Sequence, residues 1–195
     1  MNSSSEGFTP KITITGDLGS GKSVVSKRLR EILGFEIYST GKVQREIAAR
    51  LGMSTLELNQ YSDTHPEIDE EIDSAFIRLN QEPAGYIVDS RLAWFFMPGS
   101  FKVFLTVPVE VAAQRIMNDP TRNSERYQDA VQAVAELRAR KASENQRFLE
   151  KYNADCTHMG NFNLVINTSD FSPNEVADQI VAGYQQWAKV SSLRA

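Results

Sequence analysis

The chain has 195 residues, of which 41% are hydrophobic and 24% charged, with a formal net charge of -4. That length suffices for one complete α/β core with a small mobile subdomain, and the charge gives no broad attraction to nucleic acid or anionic membrane. No apolar stretch approaches the roughly 20 residues that a membrane-crossing helix needs, and the single cysteine, Cys156, excludes an internal disulfide.

Residues 1–9 are polar and serine-rich, lack the basic and apolar regions of a signal peptide, and read as a flexible tail. Residues 10–190 read as a single domain. Cys156 is expected to be an uninvolved loop side chain; a free thiol, and no Cys/His cluster, fit a reducing, cytoplasmic setting.

The first predicted strand, residues 12–15, runs into Gly16-Asp17-Leu18-Gly19-Ser20-Gly21-Lys22-Ser23 and then into a helical pattern over 24–33. A strand, a G-x-x-x-x-G-K-S loop and a helix in that order form the signature of a phosphate-binding loop. Glycines let backbone N–H groups close around phosphates, which also meet the positive end of the helix. Lys22 can reach the β and γ phosphates, and the Ser23 hydroxyl can ligand Mg²⁺. Gly16 through Ser23, with Val24, are therefore the candidate ATP-binding residues. Asp17 puts a negative charge near the phosphates, so its side chain is expected to point away.

The second strand, 35–38, is followed by Ser39, Thr40 and Gly41, with Arg45 one helical turn beyond the glycine. These make a second anion-sized site, since the guanidinium fork can bind two phosphate oxygens together; a helix cap followed by a solvated arginine is the alternative. About 45 residues of mostly helical pattern separate this strand from the next, far more than the ~10–12 of a minimal crossover. Ser54-Thr55-Leu56-Glu57 and Thr64-His65-Pro66-Glu67 both read as capping boxes there. The surplus is either a substrate-binding subdomain or extra helical packing.

The third strand, 86–88, ends in Asp89-Ser90-Arg91. A carboxylate there is where Mg²⁺ or its water shell would be held, unless it merely caps a turn. A fourth strand spans 103–107, and Pro108 opens a helix running through Arg115. Residues 124–152 read as one long or broken helix, with Arg138, Arg140, Lys141, Glu144 and Arg147. Arg140, Glu144 and Arg147 share one face, which is either a solvated salt-bridged surface or a set of cations that closes over a reacting phosphoryl group. The fifth strand is 164–166, and Ser172-Pro173-Asn174-Glu175 opens a C-terminal helix. Alternating strands and helices predict a doubly wound parallel sheet with ligands at the strands' carboxyl ends.

These motifs together resemble the cytidylate kinase family of nucleoside monophosphate kinases, especially its short archaeal-type members, over about residues 11–180. The likeness rests on the phosphate loop; on Ser39-Thr40-Gly41 with Arg45, Ile47-Ala48 and Gly52-Met53-Ser54; and on His65-Pro66-Glu67-Ile68-Asp69 with Ile72-Asp73. It continues through Asp89, Arg91-Leu92-Ala93-Trp94, Ser143-Glu144, Arg147-Phe148 and Leu164-Val165-Ile166-Asn167-Thr168-Ser169.

The resemblance implies a P-loop NTPase three-layer α/β fold: a five-stranded parallel sheet, a helical insert binding the nucleoside monophosphate (about 40–84) and a helical lid (about 121–158). It implies ATP- and Mg²⁺-dependent phosphoryl transfer to CMP or dCMP. Lys22 and the loop amides would hold ATP, with Ser23 and Asp89 on the metal. Ser39, Thr40, Gly41, Arg45 and Arg91 would form the acceptor site. Arg140 and Arg147 match the family's lid arginines, Glu144 an acidic residue that can contact the acceptor sugar, and Asp69 and Asp73 fall at the acceptor pocket. Lys22, Arg91, Arg140 and Arg147 would be the catalytic groups. The partners are small molecules, with neither nucleic acid nor membrane, and the oligomeric state is not legible, although a monomer would suffice.

The chain departs from the family pattern D-G-R-L-A-G-W, with Ser90 for the first glycine and none between Ala93 and Trp94. The rivals are a dephospho-coenzyme A or shikimate kinase, and a nucleotide-binding regulatory protein without kinase activity. The Asp-Gly-Phe-Pro-Arg-like stretch of an adenylate kinase and the Asn-Lys-x-Asp of a signalling GTPase do not occur.

Overall fold

The computed structural model describes residues 10–53, 55–62, 64–119 and 127–192. The expected tail at 1–9, the cap at Ser54 and the first lid residues, 121–126, lie outside them.

Five parallel strands form one sheet in the order β2-β3-β1-β4-β5. They are β1 (Ile12–Gly16), β2 (Glu36–Ser39), β3 (Tyr86–Asp89), β4 (Phe101–Thr106) and β5 (Leu164–Asn167). β1 is central and wholly buried, and its alternation sorts the two faces. Ile12 and Ile14 face a core made with α1 (Lys22–Leu33) and α8 (Pro173–Ser192). Thr13 and Thr15 face the other way, where Thr13 meets the Ser100 hydroxyl at 3.1 Å and Thr15 donates to the Ser90 carbonyl at 3.0 Å.

The opposite layer is built from several helices. α4 (Pro66–Gln81) and the short α5 (Ala93–Phe96) pack Ile72, Phe76, Leu79 and Ala93 against Val88. α6 (Val109–Met117) and the first half of α7 (Ala130–Tyr152) share a second cluster around Ala112, Ile116, Ala133 and Leu137. α2 (Thr40–Leu51) and α3 (Thr55–Ser62) join α4 through Ile47, Leu58 and Ile68, so three helices fill the interval between β2 and β3. Lys11 is buried at the start of β1 and donates its ammonium to the carbonyl of Glu82, the residue that ends α4.

Several local expectations change. β4 begins at Phe101, two residues early, because Phe101 pairs with Ile12 and its N–H reaches the Lys11 carbonyl at 2.8 Å. The expected helix from residue 124 to 152 is continuous from Ala130, and the Asp129 carboxylate caps the Gln132 N–H at 2.8 Å. The capping box at Thr64 does not form. Pro66 takes the first helical position, His65 becomes the cap, and the Thr64 hydroxyl turns back to the Tyr61 carbonyl at 3.2 Å. At Ser172 the box is complete: its hydroxyl accepts from the Glu175 N–H, and the Glu175 carboxylate accepts from the Ser172 N–H.

Candidate active site

The loop between β1 and α1 lies at the carboxyl end of the sheet. Gly16 pairs with Leu105 at φ 151°, and the Asp17 N–H donates to the Leu105 carbonyl at 2.9 Å. Gly21 starts α1 in the left-handed region with no side-chain cap, leaving the helix's positive end to the loop. The Lys22 ammonium curls back to donate to the Gly16 and Asp17 carbonyls, both at 2.9 Å. The Ser20 hydroxyl donates to the Asp17 carbonyl at 2.8 Å. Leu18 packs on the α6 cluster and the Val24 side chain is half-exposed. Arg115 braces the loop from behind, donating to the Thr168 carbonyl at 2.7 Å and to the Gly19 carbonyl at 3.4 Å.

Ser23 donates its hydroxyl to the Asp89 carboxylate at 3.3 Å. A hydroxyl beside a carboxylate is the oxygen donor set that suits Mg²⁺, which keeps waters and phosphate oxygens as its other ligands, so these residues fit the metal. Burial pushes the Asp89 carboxyl above the usual range, opposed by Lys22, the Ser23 hydrogen bond, Arg45 and Arg91 in turn. Among the described residues no group of three or more His, Cys, Asp or Glu side chains could hold a metal.

Ser39 pairs in register with Asp89, which brings the second strand's loop beside the first. The Thr40 hydroxyl donates to the Asp89 carbonyl at 3.4 Å. Arg45 folds back along α2, its guanidinium 3.5 Å from where a Cβ on Gly41 would stand. Ser39, Thr40, Gly41 and Arg45 thus flank Asp89 on the side away from β4.

Ser90 is buried, and Asn153 is the only non-glycine with positive φ among the described residues. The serine therefore takes no glycine conformation, and its hydroxyl accepts from the Leu92 N–H at 3.3 Å. The shortened turn resolves into α5, which buries Trp94 against Phe162 and Phe104. Arg91 next door is ion-paired with Glu144. Its pKa is pulled down to about 10, first by burial and then by Arg140, with Cys156, Asp17 and Asp89 opposing. Cys156 lies beside it, its thiol 3.9 Å from the Arg91 carbonyl and pushed up by burial.

α7 crosses all of this. Glu144 bridges Arg91 and Arg140, accepting from the Arg140 Nε at 2.9 Å. Lys141 reaches Asp17, Nζ to Oδ1 2.6 Å. Arg147 donates to the Ser62 hydroxyl and to Asp69, each at 2.8 Å, and Lys151 also pairs with Asp69. The Tyr152 hydroxyl donates to Asp73 at 3.0 Å, while burial holds the Asp73 carboxyl above its ordinary value. The candidate residues of α4 and α7 therefore bind one another directly. Lys141, Lys151, Tyr152 and Ser62 were missed as members. One signal was available: Asp69 and Asp73 on α4, and Arg147 and Lys151 on α7, repeat opposite charges at the same four-residue spacing.

A model of the cytidylate kinase-like family matches residues 11–170. The chain belongs to this family. It is 35% identical over 171 residues to a cytidylate kinase of Thermoplasma volcanium, covering 86% of this chain and 87% of that protein. It is 36% identical over 184 residues to an S-adenosylmethionine-dependent nucleotide dehydratase of Lacinutrix mariniflava; the match takes 94% of this chain but spans only 37% of that relative's length. A shikimate kinase from Acinetobacter baumannii, solved with shikimate, superposes with a TM-score of 0.55 at 19% identity over 88% of this chain and 90% of that one, a likeness of fold. This cytidylate kinase-like protein is a phosphotransferase with a P-loop kinase fold. Among its described residues no helix is long and apolar enough to cross a membrane.

Proposed function

We propose that the protein transfers the γ-phosphoryl group of ATP to CMP or dCMP, giving ADP and the nucleoside diphosphate. The observation that carries this reading is the convergence on Asp89: the Ser23 hydroxyl from the donor loop reaches its carboxylate at 3.3 Å, the Thr40 hydroxyl from the insert reaches its carbonyl at 3.4 Å, and Lys22, Arg45 and Arg91 are near enough to favour its charge. A triphosphate on the loop and a monophosphate on Thr40, Arg45 and Arg91 would meet there. The identity with cytidylate kinases over most of both chains supports the choice of acceptor.

The loop amides and Lys22 hold the donor phosphates, and Ser39 and Gly41 line the acceptor end. Ser23 and Asp89 would hold Mg²⁺, which supplies charge neutralisation on the phosphates. An acceptor phosphate oxygen attacks the γ-phosphorus in line. Its new P–O bond forms as the β–γ bridging bond breaks, and that electron pair leaves with ADP. The acceptor oxygen is already anionic, so no side chain has to remove a proton. Lys22, Arg140 and Arg147 meet the charge spread over the transferring group and exclude water. Glu144, now between Arg91 and Arg140, is placed to exchange these contacts for an acceptor sugar hydroxyl. Asp69 and Asp73 line the insert's side of the pocket.

The test is ADP release across CMP, dCMP, UMP, AMP, GMP, shikimate and dephospho-coenzyme A. Turnover with CMP or dCMP well above the rest is expected. Preference for AMP or shikimate overturns the acceptor assignment, and nucleotide binding without turnover points to a regulatory protein. The match to a segment of a nucleotide dehydratase favours a second, compatible reading, in which the phosphorylated nucleotide feeds a dehydration step. Incubating product and a purified dehydratase of that class with S-adenosylmethionine would reveal loss of water from the nucleotide.

A further inference from the structure

An acidic residue inside a phosphate-binding loop opposes the loop's own task. Asp17 is fixed there on three sides. Its N–H donates to the Leu105 carbonyl at 2.9 Å, one carboxylate oxygen accepts from the Val107 N–H at 3.1 Å, and the other lies 2.6 Å from the Lys141 ammonium. The carboxylate is thus a rigid post on the end of β4, only 12% exposed, whereas Lys141 is a half-exposed side chain from the middle of α7.

The position of Lys141 along α7 is informative. Before it, Ala133 and Leu137 anchor the helix to α6 through apolar packing. After it, Glu144, Arg147 and Lys151 attach through ions and hydrogen bonds to Arg91, Ser62 and Asp69, and Phe148 and Tyr152 pack on the cluster around Trp94 and Phe104. Lys141 stands between the part of the helix held on α6 and the part held over the site. It also shares with Asp17, Arg91, Asn145 and Cys156 the wall of a small cavity over the loop.

We propose that Asp17 and Lys141 are positioning residues whose ion pair registers the lid helix on the donor loop, so that lid closure and nucleotide affinity are coupled. With Lys141 docked, the loop's carboxylate is neutralised and Arg140 is held over the transferring group. With the helix displaced, the Asp17 carboxylate stays on the Val107 N–H without its counter-ion, and its negative charge beside the loop weakens phosphate binding. Linkage then requires that nucleotide binding favour the docked helix to the same degree. The proposal rests on the phosphoryl-transfer reading for its kinetic consequence alone.

The test uses the full chain and the variants Asp17→Asn, Lys141→Met, Lys141→Arg and the Asp17→Asn/Lys141→Met pair. ADP affinity is measured by calorimetry, and kcat and KM for ATP with the best acceptor. Lys141→Met should weaken ADP binding about tenfold and lower kcat by a similar factor, the scale of an ordinary coupling. Lys141→Arg should recover most of both. Asp17→Asn should bind ADP at least as tightly as the wild type yet turn over more slowly, a split that general damage to the loop would not produce. The double variant should bind ADP more tightly than Lys141→Met, because the unpaired carboxylate is gone. Unchanged ADP affinity in Lys141→Met, or additive losses in the double variant, overturns the proposal. If no acceptor is phosphorylated, the calorimetric comparison still decides the coupling, and the kinase reading fails separately.

Discussion

Replacing Gly16 by alanine tests how the donor loop is built. A Cβ at this position would stand 2.3 Å from the Leu105 carbonyl oxygen and 2.8 Å from the Leu105 nitrogen. Ordinary carbon–oxygen contact begins near 3.3 Å, so β1 and β4 would have to part by about 1 Å at the two most central strands. That opening stretches the 2.9 Å bond from the Asp17 N–H to the Leu105 carbonyl beyond useful length, at about 1–3 kcal/mol. Overpacking adds about 1–3 kcal/mol. Part of the two is the same event, so about 3–4 kcal/mol in all is expected. At roughly 2–4 °C per kcal/mol for a chain of this size, the Gly16→Ala midpoint should fall by about 10 °C in a calorimetric or circular-dichroism melt. Gly21→Ala is the control. It also has positive φ, but open space surrounds its Cβ position, so only the conformational strain of about 1–2 kcal/mol applies. A Gly16→Ala melt within about 2 °C of wild type, or equal losses in the two variants, would refute the reasoning.

Arg140→Ala and Arg147→Ala should each lower kcat by about 10³ or more while leaving ADP affinity within a few-fold, as expected of cations that act on transition-state charge; wild-type turnover in both, by steady-state kinetics, removes them from catalysis. Asp89 titrates high because it is buried. Its contribution to stability is therefore full below the unfolded carboxylate pKa and is lost as pH rises through the raised folded value, whereas Mg²⁺ affinity should climb across that same window. Thermal midpoints against pH, with and without Mg²⁺, should show both slopes in the wild type; in Asp89→Asn the Mg²⁺ effect should vanish and the slope without metal should shrink to what other raised carboxyls such as Asp73 contribute. Ser90→Gly should lower stability by about 1–2 kcal/mol, through the lost acceptor for the Leu92 N–H and a looser unfolded chain. Its kcat/KM for CMP should match wild type, and a gain would mean that the serine hinders the acceptor after all.

The strand, glycine loop and helix of the candidate site were legible because they are local. Loop, strand and helix follow one another within a dozen residues, and each residue type has one chemical reason to be there. The five strands were legible for a similar reason, as short apolar runs between helical periods. Their ends were less so: Phe101 joins β4 because of Ile12 and Lys11, which stand some ninety positions away in the chain. Thr64 looked like a cap by spacing, but Pro66 decided which residue takes that position. The pairing of Asp17 with Lys141 has no periodic trace at all, since it joins a loop to a helix that approaches only after the chain has folded. The face shared by Arg140, Glu144 and Arg147 was visible, whereas its partners Arg91, Ser62 and Asp69 come from the end of β3, from α3 and from α4, and meet it only once α7 lies across them.

The buried ammonium of Lys11, tied to the carbonyl at the end of α4, gives that helix a fulcrum. Sixteen residues at 1.5 Å each make α4 a lever about 24 Å long. Its far end carries Asp69, within the first turn after Pro66. A swing of about 10° about the fulcrum would carry that end by about 4 Å on such an arm. That displacement would break the 2.8 Å contact between Arg147 and Asp69, while Leu79, near the fulcrum, would keep its packing near Val88. A small rotation of α4 would therefore be large at its tip and slight at its root.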